Sequence, residues 1–133
     1  MTARSNVLRR VFALSVLTFA GSFGAAAAGA PLAPCFFVSQ WQGWKAASPT
    51  VIYLRVNLRD VYRADLSVGS PQLMWPGSYH LVSRVRGSSS ICGPLDLQLS
   101  LSDGRGFRQP LIVSSLTKLT PAEVAALPKK DRP

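Results

Sequence analysis

The stretch Val51-Ile52-Tyr53-Leu54-Arg55-Val56-Asn57-Leu58-Arg59-Asp60-Val61-Tyr62-Arg63-Ala64-Asp65-Leu66 decides the fold class of this chain. Ile52, Leu54, Val56 and Leu58 share one parity, and Tyr53, Arg55, Asn57 and Arg59 take the other. Successive side chains of a strand point to opposite faces, so this alternation predicts a sheet with one buried face. Asp60 falls on the apolar parity, which predicts a turn around residues 57–60. Val61 to Leu66 then resumes, with Tyr62, Ala64 and Leu66 facing one way and Arg63 and Asp65 the other. Two such runs joined by a short polar turn read as a β-hairpin.

Working outward, the same logic covers most of the chain. Cys35-Phe36-Phe37-Val38 reads as a first short strand, and Trp41-Gln42-Gly43-Trp44 as an aromatic cluster beside a turn. Gly69-Ser70-Pro71 and Trp75-Pro76-Gly77 punctuate a loop. Tyr79 to Val85 is a third strand, followed by the soft loop Gly87-Ser88-Ser89-Ser90. Leu95, Leu97, Leu99 and Leu101 alternate with Asp96, Gln98, Ser100 and Ser102, the clearest amphipathic strand in the chain. Asp103-Gly104 supplies a turn, and Leu111 to Thr117 a further strand after Pro110. Near the C-terminus, Thr120 can cap a helix, Pro121 suits its first position and Glu123 closes a capping box. That helix ends before Pro128, and Lys129-Lys130 lie beyond its carboxyl end. The expected fold is mainly β, a small antiparallel sheet arranged as a sandwich or partly open barrel, with one short C-terminal helix. No internal repeat is evident.

The first residues carry a different pattern. Arg4, Arg9 and Arg10 precede the apolar run Val11 to Ala20, after which come Gly21, Gly24 and several alanines. A positive flank, an apolar core and small residues form the signature of a cleavable secretory signal. Ala26-Ala27-Ala28 before Gly29 gives a small-x-small site, whereas cleavage after Ala30 would leave Pro31 first. The expected organisation is therefore a signal peptide over residues 1–28, a flexible lead-in over 29–34 and one small β-rich domain over 35–133. A lipobox reading of Leu32-Ala33-Pro34-Cys35 is opposed by Pro34, which stands where a small residue is needed. An uncleaved anchor is opposed by the glycine and alanine content and the lack of a charged stop. The expected location is periplasmic or secreted, with membrane contact only during export unless the signal is retained.

The chain has 15 Lys and Arg against 6 Asp and Glu, a net charge of +9, and removal of the leader takes three of those positive charges away. Outside the cytoplasm such a balance points to anionic envelope surfaces rather than to nucleic acid, and it also serves plain solubility. Cys35 and Cys92 are an even pair. In an oxidising compartment they are expected as a disulfide rather than as free thiols.

Three stretches of this sequence, Val61 to Leu66, Ile91-Cys92-Gly93-Pro94-Leu95-Asp96-Leu97 and Leu119-Thr120-Pro121-Ala122-Glu123-Val124-Ala125-Ala126-Leu127-Pro128-Lys129-Lys130, resemble a family of small secreted or periplasmic bacterial proteins of unknown function. The resemblance covers Cys35 to Pro133. It implies export and a single domain, and it carries no assigned chemistry. The family pattern often has two further cysteines, at places held here by Ser70 and by Leu111 or its neighbour Pro110. Their joint loss implies that they were partners, leaving Cys35 and Cys92 to pair.

Catalytic readings are thin. His80 is the single histidine, with Asp96 and Cys92 as nominal companions for acid–base or nucleophilic work. A surface or packing histidine is the competing reading. No metal site is expected from one histidine and two bridged cysteines, and Asp103-Gly104-Arg105-Gly106 has too few acids for calcium. No cofactor and no catalytic residue is assigned.

The basic surface is more suggestive. Arg55, Arg59 and Arg63 share the polar parity of the first hairpin, and Arg84 and Arg86 precede the Gly87–Ser90 loop. Arg55, Arg63, Arg84 and Arg86 are the candidate anion-binding residues, with lipid headgroups or acidic glycans as ligands. The competing reading is a solvated face paired to Asp60 and Asp65. Trp41, Trp44 and Trp75 offer a contact platform for carbohydrate or protein, or else pack beneath loops. The functional expectation is a non-catalytic binding or structural module of the envelope. The alternatives are an inhibitor or accessory factor of an envelope enzyme, working through Gly87–Ser90 or the Trp41/Trp44 turn, and a small hydrolase.

Overall fold

The computed structural model describes residues 34–75, 77–84, 87 and 89–133. The expected signal peptide, all of the lead-in but Pro34, and Arg86 lie outside the described residues.

Among the described residues nine strands form three antiparallel sheets. β1 (Phe36–Phe37) pairs with β6 (Ser90–Ile91). β2 (Trp41–Ser48), β3 (Val51–Val56), β4 (Asp60–Leu66) and β9 (Val113–Lys118) form a four-stranded sheet in that order. β5 (His80–Arg84), β7 (Gln98–Ser102) and β8 (Arg108–Leu111) form a three-stranded one. The sheets remain separate and do not close into a barrel. The hairpin that decides the fold is β3–β4, with Leu54 opposite Tyr62 and Ile52 opposite Ala64.

The alternation holds for the core face, but Tyr53 and Val61 on the opposite parity are buried as well, so the hairpin's other face is only partly solvated. Ile52, Leu54 and Val56 of β3 are buried with Tyr62, Ala64 and Leu66 of β4, and they meet Leu99, Leu101 and Leu111 of the smaller sheet in one core. Each such aliphatic side chain contributes about 1.5–3 kcal/mol through removal from water. Trp41 and Trp44 pack partly buried against that core.

Four expectations are corrected. The turn expected around residues 57–60 is present, with Asn57 at φ 54° and β4 beginning at Asp60, and it carries Leu58 out to 83% exposure rather than onto the core face its parity shares. Leu95 is 88% exposed, because the chain turns before β7 and only Leu97, Leu99 and Leu101 reach the core. The Trp41-Gln42-Gly43-Trp44 segment is no turn but the start of β2, an edge strand with register shifts against β3. Its Gly, Lys and Ala content hides the strand from a propensity reading. Finally, the run from Leu111 to Thr117 is two strands in two sheets. Leu111 pairs with Leu99 in β7, Val113 pairs with Leu66 in β4, and Ile112 is the crossing point. Pro110 is tolerated in β8 because that strand is an edge and lacks a second partner.

The N-terminal segment is fastened to this frame. Cys35 and Cys92 form a disulfide with a Cα–Cα distance of 4.1 Å, flanking the Phe36–Ile91 pair of β1 and β6. At the other end, α1 (Pro121–Ala126) starts in the capping box read from sequence. The Glu123 amide donates to Thr120 Oγ1 at 3.3 Å, and the Thr120 amide donates to Glu123 Oε2 at 2.7 Å. The helix's last carbonyls are met by Arg132, donating to Ala125 and Leu127, rather than by Lys129 or Lys130. A close approach fixes one glycine: a Cβ on Gly69 would lie 2.9 Å from Thr50 Cγ2 and 3.3 Å from the Pro49 carbonyl oxygen. The next residue, Ser70, is fully buried with its hydroxyl 2.9 Å from Gln72 Oε1 and 3.1 Å from Gln109 Oε1. One hydroxyl proton serves one of these amides, and the other turns its NH2 toward the serine oxygen.

Candidate anion-binding groove

The register of the three-stranded sheet lays out its outer face as a grid. His80, Ser102 and Arg108 lie in one row, and Val82, Ser100 and Pro110 in the next. Arg84 and Gln98 form the third, which Ile112 extends by strand parity. The opposite parity, with Leu99, Leu101 and Leu111, points into the core. Arg84 and Arg108 therefore stand at opposite corners, roughly 17 Å apart along the backbone from strand rise and spacing.

Both arginines line a groove of about 490 Å³, with Ser100 and Pro110 between them and Leu95 and Ile112 on its walls. Ser100 is 6% exposed, its hydroxyl 3.5 Å from the Val82 carbonyl. Leu95 and Ile112 are strongly exposed, so the groove has an apolar lining with a cation at each end.

The electrostatics of this groove follow from where the carboxylates are. Asp65 is taken by Arg63 and Ser115, and Asp60 by Lys118. Asp96 Oδ2 accepts from the Cys92 and Gly93 amides, both at 3.0 Å. Asp103 Oδ1 accepts from the Arg105 and Phe107 amides, and Glu123 serves the helix cap. Among the described residues no carboxylate forms an ion pair with Arg84 or Arg108.

The sequence-derived candidates divide. Arg84 is in the groove. Arg63 is not available in the same way, because Asp65, two residues along its own strand, holds its guanidinium at 2.8 Å. That hydrogen bond pushes the Arg63 pKa up. For Asp65, burial pushes the pKa up, but the hydrogen bonds from Ser115 and Arg63 and the Arg63 charge outweigh it and the net shift is downward. Arg55 lies on the outer face of the other sheet beside Gly43, its Nε buried without a hydrogen-bond partner, remote in register from Arg84. Arg86 lies outside the described residues. Arg55, Arg63 and Arg84 do not form one site. Arg108, Leu95 and Ile112 were missed. The signal for them was present, since Ile112 sits on the polar parity of the Arg108–Pro110 run, where an apolar residue has no core to enter.

His80 is not joined to Asp96 or Cys92. Asp96 is committed to backbone amides near the Gln98 end of β7, His80 pairs with Ser102 at the other end, and Cys92 is in the disulfide. His80 instead borders a cleft of about 400 Å³ between the β2 and β5 edges that also contains Lys45, Lys130 and Asp131. Among the described residues no serine, threonine or cysteine lines this cleft. Among the described residues no cluster of three or more His, Cys, Asp or Glu is placed to hold a metal ion. Neither a family model, nor a curated protein, nor a solved structure matches the chain.

Proposed function

We propose that this chain is an exported, non-catalytic binding module that takes an anionic amphiphile, a long-chain carboxylate or acyl phosphate, into the groove of the three-stranded sheet. The observation that carries this reading is the pair of arginines, Arg84 and Arg108, set on an apolar groove while the neighbouring acids are engaged elsewhere. A guanidinium binds carboxylate or phosphate through two parallel N–H donors, and a partly dry rim strengthens that contact. An acyl chain laid over Pro110 would cover Leu95 and Ile112, whose exposure otherwise has no apolar partner.

Export rests on the charged, apolar and small-residue pattern of the leader. The disulfide supports an oxidising compartment, periplasmic or extracellular.

The test is titration of the exported protein with palmitate and with the corresponding uncharged alcohol, followed by native mass spectrometry. Palmitate is expected to bind and the alcohol to bind at least tenfold more weakly, as the loss of a charge-assisted hydrogen bond of about 1.5 kcal/mol requires. Replacing Arg84 and Arg108 together by Gln should abolish the difference between the two. Equal binding of acid and alcohol, or unchanged selectivity in the double variant, would refute the assignment.

A further inference from the structure

One end of the three-stranded sheet carries an aromatic face that the groove does not use. Tyr79 immediately precedes β5 and Phe107 immediately precedes β8, and their rings meet edge-on at 5.7 Å. Trp75, from the preceding 3-10 turn (Pro71–Met74) and its exit, lies 6.3 Å from the Tyr79 ring. Trp75 is 57% exposed, Met74 43% and Phe107 41%, so the row is open to solvent.

Cations lie near it in the chain and in space. Arg105 projects from the β7–β8 hairpin loop, where Asp103 is turned inward to bind the Arg105 and Phe107 amides and does not pair with the guanidinium. Lys130 and Lys45 border the cleft that Met74 and Tyr79 also line, with Asp131 the one acid among its described lining residues.

We propose that this face, Met74, Trp75, Tyr79 and Phe107 between Arg105 and Lys130, docks the protein on an anionic lipid bilayer. Trp and Tyr are amphipathic rings suited to the headgroup level, Met and Phe reach the acyl boundary, and each nearby cation gains from an acidic headgroup. Methionine and phenylalanine offer no hydrogen bonds to a sugar, which favours lipid over glycan. The inference is independent of the groove's ligand: Arg84 belongs to the groove alone.

The experiment is co-sedimentation of the exported protein with phosphatidylcholine vesicles, with and without phosphatidylglycerol, and with insoluble peptidoglycan. Binding is expected only to the vesicles that contain phosphatidylglycerol. Trp75→Ala combined with Phe107→Ala should weaken it by about tenfold or more, and Arg105→Glu by about tenfold. Unchanged thermal midpoints in these surface variants will show that folding is intact. Leu58→Ala, an exposed apolar residue on the β3–β4 turn, should leave vesicle binding unchanged. Equal binding to neutral vesicles, retention on peptidoglycan that the aromatic variants abolish, or vesicle binding that survives those variants would each overturn the proposal.

Discussion

The hydroxyl of Tyr62 donates to the carbonyl of Pro34 at 2.9 Å, and the Tyr62 ring lies 4.7 Å from that of Phe36. One side chain in the middle of the larger sheet thus holds the start of the domain by a polar and an apolar contact together. Tyr62→Phe keeps the ring and should cost about 1 kcal/mol. Tyr62→Ala also empties the core site and should cost about 3–5 kcal/mol. Urea unfolding distinguishes them, and equal losses would mean that the hydroxyl bond accounts for the whole effect.

The same phenol predicts an alkaline limit. Burial raises its pKa above the usual 10.0, an effect partly offset by Lys118 and reinforced by Asp60. A group that ionises less readily folded than unfolded contributes stability that is complete below its unfolded pKa and lost as pH rises through the folded one. Stability should therefore fall above pH 10 in the wild type, and Tyr62→Phe should flatten that fall. Denaturation series across the alkaline range read this directly.

Reduction of the Cys35–Cys92 bridge opens a loop of 57 residues in sequence separation. The chain-entropy treatment gives a loss of about 4 kcal/mol. Denaturation with and without reductant should show it, and Cys35→Ser should respond to reductant no further. The amides of β1 and β6, held by only two residue pairs, should be the first to exchange.

Asp65 sets an acid limit. Burial raises its pKa, yet Ser115 and Arg63 together bring it below the usual 3.8. A depressed carboxylate contributes stability that is present above its unfolded pKa and lost as pH falls through the folded one. Asp65→Asn should cost about 1 kcal/mol at neutral pH, a figure discounted for the partial exposure of the ion pair, and should make stability less sensitive between pH 4 and lower values. An unchanged acid limb in the variant would show that other groups govern it.

The four alternating leucines give a sharp contrast. Leu97→Ala and Leu101→Ala should each cost about 2–5 kcal/mol, since both side chains are buried. Leu95→Ser should change stability by less than about 0.5 kcal/mol, because that residue is exposed in the turn before β7. Thermal unfolding of the three variants suffices to check this.

What the sequence made legible follows the range of the forces involved. The core-facing parity of β3 and β4 and the capping box at Thr120 depend on neighbours in the chain, and both appear in the structure as read, while the burial of Tyr53 and Val61 on the other face does not follow from the pattern. The turn at Leu58 is legible from Asp60 on the apolar parity, but the turn at Leu95 is not, because there a regular alternation continues past the point where the backbone turns. β2 was missed because an edge strand with Gly43, Ala46 and Ala47 owes its form to pairing with β3 rather than to its own residues. The groove was half legible. Arg84 stood out as a cation, but its counterpart Arg108 is brought to the same face only by β7 lying between them. The commitment of Asp96 and Asp103 to backbone amides, which leaves those arginines unneutralised, is a property of loop geometry that no spacing rule conveys.

The passage of the chain through Ile112 has a mechanical meaning. Because β8 and β9 are consecutive pieces of one backbone, the edge strand of one sheet is tethered by a single residue to the edge strand of the other. Neither layer can peel from the core without dragging the other's border with it. The protected amides of β4 and β7 should then exchange through one shared opening, with a common dependence on denaturant, and the domain should break as one unit rather than layer by layer.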